Sequence, residues 1–143
     1  HAADDARPRI GRGRQHMWPD TLGIMGWTVE ETGLGVVFDR SIPGFAEAEL
    51  RTALDGLIPD HPVDRHVCHP GGAKVITALE TTLSLPEGSL DVERRVLAQN
   101  GNMSAPTVLF VLEQVLRAGT RGSLLAMALG PGFTLSVLPI TVQ

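Results

Sequence analysis

A histidine and an asparagine stand out because each lies where one apolar segment ends and another begins. His69 closes the short run RHVCH and is followed by Pro-Gly-Gly, a sequence that lets backbone and ligand approach closely. Asn102 lies in GNMS, just before a second apolar segment. Imidazole and amide side chains both hold ligands by hydrogen bonds, so the two stretches predict one site if the fold brings them together.

Both residues also have purely structural explanations. A histidine at a strand end can be satisfied locally, with the glycines needed only for the turn. Asn102 can cap the helix that follows it. Two predicted helices separate His69 from Asn102, so their spacing permits contact without establishing it.

The single cysteine, Cys68, is adjacent to His69 but is a poor chemical partner for it. Side chains alternate along a strand, so His66 and Cys68 point to one side while Val67 and His69 point to the other. This segment therefore favours neither a thiol–imidazole pair nor a zinc site, and adding His61 supplies no metal spacing. Cys68 is predicted to be a small buried hydrophobe, and no metal is expected.

Strands and helices alternate in the part of the sequence that must position these residues. LGVVFD, Leu34 to Asp39, is predicted to be a buried strand, and PGFAEAELRTALDGLIP an amphipathic helix. RHVCH is a short strand, and Gly71 and Gly72 open the helix that follows it. The upstream stretch PRIGRGRQHM predicts a modest strand, whereas WPDTLGIMGWTVEETG is rich in turn residues.

The second half continues the same pattern. LDVERRVLAQNG is predicted to be helical with Ser89 as its N-cap, and SAPTVLFVLEQVLRAG is the strongest helix, ending at Gly119. The last two strands flank LGPG, and Pro139 predicts that the final one lies at an edge or a bulge. The order of elements indicates a layered α/β domain.

Composition excludes several classes of function. The 143 residues are 43% hydrophobic and 20% charged, with a net charge of −4 and scattered Lys and Arg, so we expect no nucleic-acid or membrane partner. One cysteine permits no intrachain disulfide, so a reducing cytoplasm is the expected location. The sequence begins at His1 without a targeting signal, which indicates part of a longer protein.

Motif order gives a specific resemblance. HPGG followed by GNMS and then by LGPGF resembles the C-terminal half of type III polyketide synthases, the chalcone synthase-like branch of the thiolase fold. WPDTLGIMGW and GLGVVFDRSIPGF are similar to the bacterial members, and the resemblance covers the chain from about Trp18. It implies a thiolase-like α/β/α half with a mixed sheet covered by helices, over residues 1–143 as one domain.

The resemblance also implies roles for the two residues singled out first. In that family a cysteine accepts an acyl group from a CoA thioester, while a His and an Asn assist decarboxylation of malonyl-CoA and the Claisen condensation that follows. By resemblance, His69 and Asn102 are those two. Loss of CO₂ leaves an enolate oxygen, which imidazole and amide N–H groups stabilise, and the histidine can also pair with the thiolate as an imidazolium.

Substrate contacts follow from the same resemblance. CoA binding is assigned to Gly71, Gly72 and Lys74. The pocket for the growing chain is assigned to Met25, Leu34, Val36, Phe38, Ser104, Gly130, Pro131, Gly132 and Phe133. Acyl-CoA and malonyl-CoA are the expected partners, with no separate cofactor and with a homodimer as the expected assembly.

The nucleophile of the family lies in its N-terminal half, which is absent from this sequence, so the chain alone is expected to be inactive. Two alternatives remain. A ketoacyl synthase III would use a carrier protein, although its histidine motif lacks the double glycine. A free-standing thiolase-like domain would serve only binding or dimerisation.

Overall fold

The computed structural model describes residues 7–59 and 62–143; His61 lies outside these ranges. Four helices occur within them: α1 (Ile42–Leu57), α2 (Ala73–Thr82), α3 (Asp91–Asn100) and α4 (Thr107–Arg117). The strands are β1 (Arg9–Ile10), β2 (Arg14–Met17), β3 (Met25–Glu30), β4 (Gly33–Phe38), β5 (Arg65–Cys68), β6 (Gly122–Gly130) and β7 (Thr134–Val142).

Five strands form one mixed sheet at the centre of the fold. Its order is β1, β7, β6, β5, with β2 also paired to β7. β5 runs parallel to β6, whereas the pairs of β7 with β1, β2 and β6 are antiparallel. β5, which leads to His69, therefore lies at an edge of the described sheet.

Helices cover both faces of this sheet, because successive strand residues point to opposite sides. On one face, α1 and α2 pack through Leu50, Ile76 and Leu79 against a cluster that contains Cys68 and Leu125. On the other face, α3 and α4 pack against the cluster that contains their valines and Val67. The predicted layered α/β/α architecture is confirmed.

β3 and β4 form a separate two-stranded hairpin beside the sheet. Its base is held by Met25, which packs with Ile42 and Phe133. Phe133 also contacts two other aromatic rings edge to face, with centroids 4.7 Å from Phe45 and 5.6 Å from Trp18. The base of the hairpin is therefore fixed, while its far end extends away from the core.

Two strand predictions need correction at this hairpin. β4 is not buried: Leu34, Val36 and Phe38 are 67%, 49% and 62% exposed, because only the base of the hairpin meets the main core. The stretch predicted to be turn-rich contains β3, whose partner is β4 rather than the sheet.

Two further predictions need correction. β7 is an interior strand and not an edge, but Pro139 accepts a hydrogen bond from Gly11 (2.8 Å) in the break between β1 and β2, where a missing N–H is tolerated. α3 begins at Asp91 with Leu90 and not Ser89 at the cap position, and the Leu90 amide donates to the Glu80 carboxylate (2.9 Å).

In the described ranges, no helix combines the length and the apolar character needed to cross a bilayer.

Candidate active site

His69 directly follows β5, at the carboxyl end of that strand, as predicted. Its amide donates to the Met127 carbonyl of β6 (2.8 Å), so the sheet fixes its backbone. The Nδ1 atom of its imidazole is buried and has no hydrogen-bond partner among the described residues. The explanation that local hydrogen bonds satisfy this histidine is therefore not supported on the Nδ1 side.

Asn102 lies in the loop between α3 and α4 and makes two hydrogen bonds. Its side-chain oxygen accepts from the Ser104 amide (2.9 Å), and its side-chain nitrogen donates to the Gly71 carbonyl (3.1 Å). Gly101 (φ 71°) and Ser104 (φ 64°) both adopt left-handed backbone conformations, so the Asn102 oxygen helps to hold a strained turn. The N-cap position of α4 belongs to Pro106, so Asn102 orders the preceding loop rather than capping the helix.

The bond from Asn102 to Gly71 joins the two sequence stretches. His69 and Asn102 both line a cleft of about 970 Å³ between the hairpin, α2 and the loop before α4. Gly71 lies directly beside the His69 ring, since a Cβ on Gly71 would lie 3.8 Å from it, in ordinary van der Waals contact. The cleft also contains Lys74 and six of the residues assigned to the substrate pocket: Met25, Val36, Phe38, Ser104, Gly130 and Pro131.

Four other predicted site residues do not line the cleft. Leu34 shares a face with Val36 but lies further out on the hairpin, and Gly72 is set back from the cleft. Gly132 and Phe133 also lie outside it. Phe133 is fully buried, because its ring completes the aromatic cluster under the hairpin.

Gly35, which precedes Val36 in β4, does not leave space in the pocket. Gly35 faces the opposite side of β4 from Val36. A Cβ there would lie 2.1 Å from the Glu30 carboxylate and 2.5 Å from the Thr28 hydroxyl. Its missing side chain therefore makes room for hairpin side chains outside the cleft.

Burial shifts the pKa values of two groups at the centre of the site. It lowers the pKa of His69 below its usual value, which favours the neutral imidazole at pH 7 and disfavours an imidazolium paired with a thiolate. Burial also raises the pKa of the Cys68 thiol well above its usual range. Cys68 is fully buried, which confirms that it is a core residue and not an available nucleophile.

Lys74 and Arg40 bring positive charge to a cleft whose other lining is mainly apolar. Lys74 is exposed in the first turn of α2, where the helix dipole does not favour a cation. Arg40 follows β4 on the opposite side of the cleft and was not singled out in the sequence. No group of three or more His, Cys, Asp or Glu residues in the described ranges is arranged to hold a metal ion.

Two ion pairs of buried carboxylates with partly exposed arginines were also missed. Glu80 of α2 pairs with Arg94 (2.6 Å), whose guanidinium lowers the pKa of that carboxyl to about 2. Glu93 of α3 is fully buried and pairs with Arg65 of β5 (2.7 Å). Both carboxylates occupy the apolar stripe of their helix, and an acid at such a position was the available signal.

Comparisons with known proteins identify a family of similar sequences. The profile described as "Chalcone and stilbene synthases, C-terminal domain" matches residues 9–142. The chain is 42% identical over 137 residues to 1,3,6,8-tetrahydroxynaphthalene synthase of Streptomyces peucetius subsp. caesius, a match that covers 88% of this chain and 36% of that protein. It is 32% identical over 139 residues to the putative chalcone synthase of Bacillus subtilis (strain 168), covering 92% and 38% of the two.

Solved structures show the same fold. PKS-I from the brown alga Ectocarpus siliculosus superposes with a TM-score of 0.89 at 20% identity, covering 99% of this chain and 41% of that one. The fungal type III polyketide synthase ORAS gives a TM-score of 0.84 at 20% identity, covering 95% of this chain and 41% of that one.

The chain spans little more than a third of the two curated relatives, 36% and 38% of their lengths.

Proposed function

Because this chain belongs to the chalcone and stilbene synthase family as a C-terminal domain, we propose that the protein carrying it is a type III polyketide synthase. It joins malonyl-CoA to a CoA-linked starter, and this chain contributes His69 and Asn102. The observation that carries the proposal is that the His69 imidazole and the Asn102 amide line one largely apolar cleft, where Asn102 donates to the Gly71 carbonyl.

The proposed roles follow from where charge develops. When malonyl-CoA loses CO₂, the carbon–carbon bond breaks and its electron pair moves onto the thioester oxygen as an enolate. The imidazole and amide N–H groups stabilise that oxygen without the cost of desolvating an ion. The enolate carbon then attacks the starter thioester, forming the new carbon–carbon bond and releasing the thiolate that carried the starter.

The acyl-carrying nucleophile must come from outside this chain. Cys68 is fully buried among apolar side chains and its thiol pKa is raised, so it cannot accept an acyl group. We propose that an N-terminal half supplies a cysteine, and that the isolated chain does not condense its substrates.

The direct test supplies the protein that carries this chain with malonyl-CoA and an acyl-CoA starter, with no carrier protein. We expect CO₂ release and polyketide formation. The products are detected by chromatography and mass spectrometry. A strict requirement for malonyl-carrier protein would identify a ketoacyl synthase III instead. No turnover with either donor would support a non-catalytic domain.

Lys74 is proposed to hold a phosphate of CoA, because it brings an exposed cation to the mouth of the cleft. Lys74→Ala should raise the KM for malonyl-CoA by up to about fivefold, the effect of one solvent-exposed charge contact. The increase should shrink at higher salt, since screening weakens the contact in the parent. Arg121→Ala, which removes an exposed cation away from the cleft, is the matched control. Equal KM values for Lys74→Ala and parent at low salt would show that Lys74 does not bind a phosphate of CoA.

Val36 is proposed to limit chain length, because it lines the cleft opposite Trp27 on the paired strand. Val36→Phe should shorten the polyketide or shift preference towards smaller starters, measured by product mass spectrometry with long and short acyl-CoA. The variant should fold normally, since Val36 is 49% exposed. Leu34→Phe is the control, because Leu34 lies on the same face but outside the cleft. An unchanged product profile for Val36→Phe would show that Val36 does not limit the chain.

A further inference from the structure

Glu93 cross-links a strand to a helix from a fully buried position. One carboxylate oxygen pairs with Arg65 at the start of β5 (2.7 Å). The other accepts a hydrogen bond from the amide of Cys68 at the end of β5 (3.1 Å). A single side chain of α3 thus holds both ends of the strand that leads to His69.

The bond to Cys68 compensates for the position of β5 at the edge of the described sheet. The amide of His69 donates to β6, whereas the amide of Cys68 donates to Glu93. An edge strand leaves every second amide without a strand partner, and a buried amide without an acceptor is costly. Glu93 therefore acts where a neighbouring strand would otherwise fix the backbone next to His69.

The helix that carries Glu93 also leads to Asn102. α3 ends at Asn100, and the chain passes through Gly101 to Asn102, whose amide returns to the Gly71 carbonyl. β5 and α3 lead to the two candidate donors, His69 and Asn102. The two segments are thus joined twice, once through Asn102 and once through Glu93.

We propose that Glu93 is a positioning residue that sets the imidazole of His69 relative to the amide of Asn102. This inference rests on the proposed function of those two donors. A role in stability alone accounts less well for Glu93, since a buried ion pair is often no more stabilising than well-packed apolar residues of similar volume. The acceptor for the Cys68 amide, rather than the charge pair, is then the feature that matters for the chemistry.

The test compares two double variants in the protein that carries this chain. Arg65→Met/Glu93→Gln and Arg65→Met/Glu93→Met both remove the ion pair and have similar volume. Only the first keeps an oxygen that can accept from the Cys68 amide. We expect kcat for malonyl-CoA decarboxylation to be at least about tenfold lower in the Met/Met variant than in the Met/Gln variant, because small misplacements of catalytic groups are costly. The KM for malonyl-CoA should agree within about twofold, because neither substitution replaces a residue that lines the cleft.

Amide hydrogen exchange provides a readout that does not depend on activity. Residues 65–69 should exchange faster in the Met/Met variant than in the Met/Gln variant at a temperature where both are folded. Equal kcat in the two variants, or a kcat difference without a difference in exchange, would overturn the inference. An inactive parent would instead refute the proposed function, and equal exchange would then also refute the strand-holding role of Glu93.

Discussion

Replacing Asn102 with alanine is expected to slow malonyl-CoA decarboxylation by roughly a hundredfold, the effect of losing one preorganised donor worth on the order of 3 kcal/mol. Loading of the starter should be largely preserved, because that step does not require the amide. Decarboxylation is measured by acetyl-CoA formation, and loading by intact mass of the acylated protein.

The structural role of Asn102 calls for a second substitution. Asn102→Asp keeps an oxygen that can accept from the Ser104 amide but has no N–H to donate, so its decarboxylation rate should fall at least as far as that of the alanine variant. Asn100→Ala removes an amide two positions upstream that bonds to the Val96 carbonyl, and it should remain close to the parental rate. Parental decarboxylation by Asn102→Asp would show that the side chain orders the loop and does nothing else.

Phe133→Ala should lower the free energy of unfolding by about 3–5 kcal/mol, the usual cost of emptying a fully buried aromatic position. The ring contacts Trp18 and Phe45 and fills the space under the hairpin, so its removal leaves a cavity. Denaturant unfolding of the protein that carries this chain measures the change.

The matched control is Phe110→Ala. Phe110 is 41% exposed on α4, so its loss should change the free energy of unfolding by less than about 1 kcal/mol. If Phe133→Ala altered the product profile while leaving stability intact, Phe133 would belong to the pocket wall after all.

Local sequence signals predicted the elements whose burial is periodic. α4 repeats its apolar residues at helical spacing, and RHVCH followed by Pro-Gly-Gly marks a strand, a turn and a helix start. These two signals place His69 at a strand end and Asn102 before a helix. Their common cleft required the family resemblance, because the bond from Asn102 to Gly71 spans 31 residues and leaves no local pattern.

The failed predictions share one physical origin, which is packing between elements that local sequence patterns do not report. β3 and β4 pair with each other outside the main sheet, so the apolar residues of β4 are exposed although their pattern is that of a buried strand. Within GPGF, one turn provides both a cleft residue, Pro131, and a core residue, Phe133. Glu93 belongs to the charged run VERR, and its position three residues before Val96, on the apolar side of α3, was the one sequence signal of its burial.

The pairing of β2 with β7 has a consequence for how the chain folds. Gln15 donates to the Ser136 hydroxyl, 121 positions further along the chain. The entropy cost of closing this long loop must therefore be offset before the pairing becomes favourable. During synthesis, β7 leaves the ribosome after every other strand and helix described here. β1 and β2 therefore emerge before β7, the strand with which they pair in the described sheet, and until translation reaches β7 their edges are open to association with other chains.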